Sequence, residues 1–320
     1  MLHKVYGLAL ASAFLVACGG GSDSNSDSNN QTDVQSEQKT TFSLGVSDAA
    51  VNNVAQVNLV FKEVVLKGAT GTTTRFETLD ESGNPQKVNL LAYQGSSTFE
   101  LIADTEIDAG DYEWMRVTVV NGVEGEVSEM RSHVVYEDES RAALAVKRKG
   151  NDGEGEIQIN SVQVNQGEND YVLEFDLGKA LVKTGNGSTV YLKPTAVRLE
   201  NQALVFDISG TVTADLQTAC IADNAALAPA VGGFKQVVYL YTQTEGELGD
   251  VREDGSGPMA TAVINQEGQF EIGFVPAGDY QIAYSCLGHL DDPESVDTTF
   301  TLHSTQTVSL SQDTQVTFSE

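Results

Sequence analysis

The sequence predicts an all-β protein built as two tandem β-sandwich domains. Three observations carry this expectation: apolar and polar residues alternate through many short runs, turn residues separate the runs, and no helical period persists. Successive side chains of a strand point to opposite faces, so a half-buried strand repeats every second residue, whereas a helix repeats near 3.6. Many short strands of this kind suit a sandwich.

In chain order, Val57, Leu59 and Phe61 alternate with polar residues ahead of Val64-Val65-Leu66. From Tyr112 to Val120, Met115, Val117 and Val119 share one face. Asn121-Gly122 then precedes Val123, the preferred signal of a two-residue hairpin. Ile157, Ile159, Val162 and Val164 continue the style, and Leu173, Phe175 and Leu177 alternate with Glu174 and Asp176. Val190, Leu192, Val197 and Leu199 predict a strand pair interrupted by Pro194. The only helical candidates are single turns near Asp48-Ala49-Ala50 and Leu90-Leu91-Ala92.

A second domain is expected from Leu204, opened by Phe206 to Val212 and centred on Val237-Val238-Tyr239-Leu240-Tyr241. The halves share an echo. Phe99-Glu100-Leu101 precedes Ala109-Gly110-Asp111-Tyr112, and Phe270-Glu271-Ile272 precedes Ala277-Gly278-Asp279-Tyr280. Each reads as a strand entering a tight turn, with the Tyr ring turned inward and its hydroxyl free for nearby backbone. The functional alternative is that these tyrosines line a sugar site.

The N-terminus resembles a bacterial lipoprotein signal peptide. Lys4 supplies the positive end, Val5 to Val16 is apolar or small, and Leu15-Val16-Ala17-Cys18 matches a lipobox. The run is far shorter than the roughly 20 residues of a spanning helix. The resemblance implies cleavage between Ala17 and Cys18 and acylation of Cys18. Gly19, not Asp, follows the cysteine, which by the enteric sorting rule implies the outer membrane. The expected organisation is a signal peptide over 1–17, a lipidated Cys18 and disordered linker over 18–40, and sandwich domains over 41–203 and 204–320. Residues 19 to 40 are mostly Gly, Ser, Asp, Asn and Gln with almost no apolar side chains, too few to offset the entropy of folding. Such a coil sets the body roughly 25 Å from the membrane.

The formal charge is −28, and loss of Met1 to Ala17 removes Lys4 and no acid. Such a surface repels nucleic acid and anionic headgroups. With Cys18 taken by lipid, Cys220 and Cys286 remain, and an even pair in an exported chain implies one disulfide, two free buried thiols being the alternative.

The first domain is similar to the bacterial family called domain of unknown function 4382. Phe42 to Ala50, Val88-Asn89-Leu90-Leu91, Ile107 to Tyr112, Leu173 to Val182 and Tyr191-Leu192-Lys193-Pro194 carry the resemblance, across roughly residues 41 to 200. It implies export, often as a lipoprotein, and no activity. The second domain resembles the prealbumin-like, Ig-like modules found beside carboxypeptidases and in bacterial surface stalks, on Ser209 to Val212, Gly268 to Ile272 and Val275 to Tyr280. Some relatives crosslink Lys to Asn or Asp. Lys235 is the only lysine here and Gln306 to Glu320 has no Asn, so the disulfide is expected to serve as the fastener.

No Gly-x-Ser-x-Gly elbow, His-Glu-x-x-His helix or phosphate loop occurs, and His133, His289 and His303 are widely spaced. Nothing singles out a carboxylate pair for glycoside hydrolysis. Two oxygen-rich loops are candidate calcium sites: Asn151 to Glu156, and Asp291-Asp292 with Glu294 and Asp297. Neither follows the EF-hand order, and solvated acidic loops are the competing reading. Lys147-Arg148-Lys149 is the one basic run. The expectation is a non-enzymatic outer-membrane lipoprotein with no resident cofactor. It would contact the membrane through its lipid and an envelope glycan or protein through its loops. The alternatives are an envelope carbohydrate-active enzyme or an accessory subunit of a surface complex.

Overall fold

Met115, Val117 and Val119 are all fully buried on one face of their strand, as the alternation implies. The computed structural model describes residues 39–49, 54–126, 128–150, 154–183, 188–242, 248–251 and 257–320. All of them fall within one compact unit, Glu37–Glu320.

The strands of the first part are β1 (Lys39–Ala49), β2 (Val54–Gly68), β3 (Thr73–Glu77), β4 (Gln86–Asn89), β5 (Phe99–Asp108) and β6 (Gly110–Val119). They continue with β7 (His133–Tyr136), β8 (Arg141–Val146), β9 (Gly155–Val164) and β10 (Glu168–Asp176). A single helical turn, α1 (Leu177–Ala180), leads to β11 (Leu181–Lys183), β12 (Thr189–Leu192) and β13 (Val197–Asn201). One sheet runs β13-β10-β1-β5, and the facing sheet runs β11-β12-β8-β7-β2-β6-β9, with β3 and β4 also paired to β2. Phe42, Leu44 and Val46 of β1 meet Val57, Leu59 and Phe61 of β2 in the core between them.

A bulge explains the change of phase in β2. Its core positions are 57, 59 and 61, then 64 and 66, and the pairing with β6 shifts between Phe61 and Glu63. One inserted residue moves every later side chain to the other face, so the apolar set stays inward.

The second part holds β14 (Val205–Val212), α2 (Ala214–Asp223), β15 (Val237–Tyr241), β16 (Ala260–Val263) and β17 (Gln269–Pro276). It ends with β18 (Gly278–Ser285), β19 (Ser304–Leu310) and β20 (Thr314–Phe318). The sheets β17-β14-β20 and β16-β15-β18-β19 enclose a separate core around Ile208, Leu240, Ile272 and Ile282. β15 is buried on both faces: Val238 and Leu240 point into that core, while Val237, Tyr239 and Tyr241 pack outside it with Val251 and Ala283. The two parts are called the N-terminal and C-terminal lobes below.

Four local expectations change. Asn121-Gly122 makes no hairpin: Val123 only bridges Glu126, and β6 pairs with the distant β9. Asn121 instead uses its side chain as a stretch of false backbone, accepting from Val146 N at 2.8 Å and donating to Val146 O at 3.2 Å. Gly122 is needed for close approach, since a Cβ there would stand 2.4 Å from Ser132 O. The strands flanking Pro194 lie in different sheets, and a 3-10 turn over Pro194–Ala196 carries the chain between them. Lys39 and Thr40, expected in the linker, already belong to β1. Finally, Asp48 lies in β1, while α2 is a helix the apolar period did not announce. Thr213 caps α2 by accepting from Leu216 N.

Candidate functional site

The lobes are joined by side chains that reach from one backbone to the other. Lys179 Nζ donates to Pro258 O at 3.0 Å and Met259 O at 2.7 Å, and lies 3.3 Å from Asp176 Oδ2. Thr261 Oγ1 donates to Asp176 Oδ1 at 3.3 Å, and Arg198 Nη1 donates to Phe274 O at 3.2 Å. At the other end of the join, Ser96 N donates to Glu271 Oε1 at 3.1 Å.

This join covers acids that alternation would leave in solvent. Asp48, Glu174 and Asp176 are all buried. Ser47 stands opposite Glu174, and Ala49 opposite Asp176, in the parallel β1–β10 pairing. Burial, then the nearby Glu174 and Asp176 charges, hold the Asp48 carboxyl well above its usual range. Burial pushes Glu174 up to about 8, against the opposing pull of Arg198. Asp48 Oδ2 and Glu174 Oε2 have no hydrogen-bond partner among the described residues. Buried carboxyls of this kind stay neutral rather than carry an unsolvated charge.

Beside the join lies a cavity of about 180 Å³. Its N-terminal wall carries Val54, Val134, Leu181 and Val190, together with Tyr136 and Lys183. Its C-terminal wall carries Tyr239, Lys235, His289 and Asp291. A backbone bridge between Lys235 and Leu287, closed by Gly288 N donating to Lys235 O at 3.0 Å, sets Lys235 next to His289. His289 Nε2 faces Leu227 O at 2.9 Å and therefore donates, which leaves Nδ1 as the free ring nitrogen. Neither His289 Nδ1 nor Lys235 Nζ, both shielded from solvent, has a hydrogen-bond partner among the described residues. Burial, first, raises Asp291 to about 7, against a hydrogen bond from Tyr239.

The expected site residues fare differently. Ala17 and Cys18 lie outside the described residues. Cys220 and Cys286 form the disulfide, tying α2 to the end of β18 across a separation of 66 residues. Of the first calcium loop, Asn151 to Gly153 lie outside the described residues. Glu154 accepts from Asn121 N, and Glu156 pairs with Arg148 at 3.0 Å and Arg116 at 3.4 Å. The second loop brings Asp291 and Asp297 together with Asp250, with carboxylate oxygens within 4.8 Å of one another, while Asp292 and Glu294 stay exposed. Sequence reasoning missed Asp250 because it belongs to a separate loop. The trio offers a metal ion three carboxylate oxygens, half or fewer of those calcium takes. Calcium takes six to eight oxygens, and these carboxylates already accept from backbone: Asp291 from Val251 N, Asp297 from Asp292 N, and Asp250 from Asp297 N.

The basic run is engaged internally, with Lys147 over the Tyr191 ring and Arg148 on Gln158 and Glu156. His133 is buried between Arg131 O and Asn58 Nδ2. Tyr112 and Tyr280 point their rings inward and donate to the carbonyls of Asp108 and Pro276 at 2.7 and 2.8 Å. They serve the corners of the sheets.

Residues 39–194, the segment in which the sequence motifs lie, match the family described as Domain of unknown function (DUF4382). No curated protein matches the chain. Solved structures similar to it include the Bacillus anthracis TIE protein, at 10% identity and TM-score 0.19, covering 88% of this chain and 33% of that one. A streptococcal ancillary pilin is similar at 12% identity and TM-score 0.19, covering 87% and 61%. BcpA, the major pilin subunit of Bacillus cereus, is similar at 12% identity and TM-score 0.20, covering 88% and 99%. The chain thus spans less than two thirds of the first two structures. Likeness this loose leaves function to be argued from the chain itself.

Proposed function

We propose that this protein is an outer-membrane lipoprotein with a non-enzymatic binding or structural role at the cell envelope. The observation that carries the reading is Cys18, set directly after Leu15-Val16-Ala17 at the end of a short apolar run. Acylation there provides the foot, and the polar residues that follow provide the spacer. Two features of the body support the rest. Lys179, Arg198 and Thr261 tie the lobes together, so the β-rich body is presented as one piece. Its strong negative charge disfavours nucleic acid and anionic lipid as partners, leaving an envelope glycan or protein. No helix among the described residues is long and apolar enough to cross a membrane. The lipid is therefore the proposed membrane contact.

Mass spectrometry of the native protein tests the anchor, with Cys18→Ser as the comparison. The expected result is a mature chain starting at an acylated Cys18, and loss of Cys18→Ser from the membrane fraction. An intact leader or an unmodified thiol overturns it. Protease shaving of intact cells then reports which face of the membrane carries the body.

A further inference from the structure

We propose that the cavity between the lobes is a binding site for a small apolar monocarboxylate, its carboxylate on Lys235 and its hydrocarbon part against the valine and leucine wall. This reading does not depend on the anchor.

Three observations converge on the site. The first is chemical need. Lys235 Nζ is shielded from solvent and has no hydrogen-bond partner among the described residues. An ammonium in that position lacks the acceptors water would give it, and a ligand anion supplies them. His289 Nδ1, on the same cavity, is likewise unpartnered. It accepts from a hydroxyl when neutral and donates to an anion when charged.

The second is where the charge falls. Between Asp207 and Glu320 there are 17 acids and only two basic residues, Lys235 and Arg252. In a segment so acidic, one of two cations sits at this cavity rather than on a surface ion pair. Lys183, from the N-terminal lobe, lines the same cavity. Burial, first, and Lys183 draw the Lys235 pKa down, so a ligand anion favours its charged form; Glu137 opposes them through space without a hydrogen bond to Nζ.

The third is shape. The cavity holds about 180 Å³, and a dry cavity of about 150 Å³ admits a benzene ring. Val54, Val134, Leu181 and Val190 offer no hydrogen bonds. A ligand of roughly the size of benzoate or 3-methylbutanoate thus finds two cations, Lys235 and Lys183, for its charge and these four side chains for its apolar part. Lys235 and His289 also border a wider recess of about 780 Å³, which provides an approach.

The test is calorimetric titration of the purified full chain with benzoate, 3-methylbutanoate, their neutral amides and galacturonate. The expected result is saturable one-to-one binding of the apolar acids, with the amides roughly ten- to hundredfold weaker, the span of a hydrogen bond to a charged group. Lys235→Met should reduce the acids to the level of the amides, and Val263→Phe, which fills the cavity, should abolish both. The proposal is overturned if no apolar acid saturates the chain at millimolar concentration, or if amides bind as tightly as acids. It is equally overturned if Lys235→Met leaves acid binding unchanged, or if galacturonate binds and the apolar acids do not. Should Lys235→Met fail to fold, the comparison of acid with amide on the unaltered chain still decides.

Discussion

Gly273 meets Gly95 backbone to backbone across the two lobes: a Cβ on Gly273 would stand 2.3 Å from the Gly95 carbonyl oxygen. No side chain fits there without pushing the turn at Gly95 away from β17. Gly273→Ala should destabilise the protein by about 1–3 kcal/mol, the usual cost of overpacking. Chemical denaturation reads it, and an unchanged midpoint would contradict this account of the join.

Lys179 is another fastener of that join. Removing its ammonium in Lys179→Met leaves two carbonyls unmet and Asp176 buried without its cation. A loss on the order of 3 kcal/mol is expected, because breaking a buried pair strands the remaining charge. Faster limited proteolysis between the lobes should accompany it.

The buried acids fix the direction of the pH response. Burial pushes Glu174 up to about 8 in the folded chain, against about 4.3 when unfolded. Between those values the folded state binds more protons, so stability falls as pH rises through this window. Asp48 and Asp291, both raised chiefly by burial, act in the same sense. Thermal midpoints should therefore drop between about pH 5 and about pH 8, and Glu174→Gln should flatten the slope. A midpoint that climbs over that range would refute the assignment.

The disulfide closes a long loop, 66 residues in sequence separation. Replacing both Cys220 and Cys286 by Ala should cost about 4 kcal/mol in the chain-entropy picture. Circular dichroism and denaturation together would show whether α2 frays first.

Tyr112 and Tyr280 make the same bond in different lobes, each to the carbonyl four residues earlier. Tyr112→Phe and Tyr280→Phe should each cost about 1 kcal/mol. Their effects should add, because they sit in separate cores.

Much of this architecture is legible in particular residues. Met115, Val117 and Val119 announce β6, and Val237 to Tyr241 announces a strand buried on both faces. What escapes is whatever depends on distant partners. Glu174 and Asp176 look like a solvent face because nothing local reveals that the second lobe covers them. Asn121-Gly122 looks like a hairpin because turn propensity cannot anticipate that Asn121 will bond Val146. α2 hides because only Leu216 and Cys220 are buried, leaving a single apolar step of four. The cavity was equally invisible: Lys235 and His289 lie far apart in sequence and meet only through the bridge to Leu287.

β1 is an interior strand, bonded to β5 along one side and β10 along the other. Any pull on the residues that precede Lys39 enters the body there. It loads both ladders lengthwise and at once, with nine paired positions toward β10 alone. An edge strand would unzip bond by bond; this one must shear. Were the body held by the lipid proposed at Cys18, tension from flow or contact would be shared by two ladders rather than borne by one.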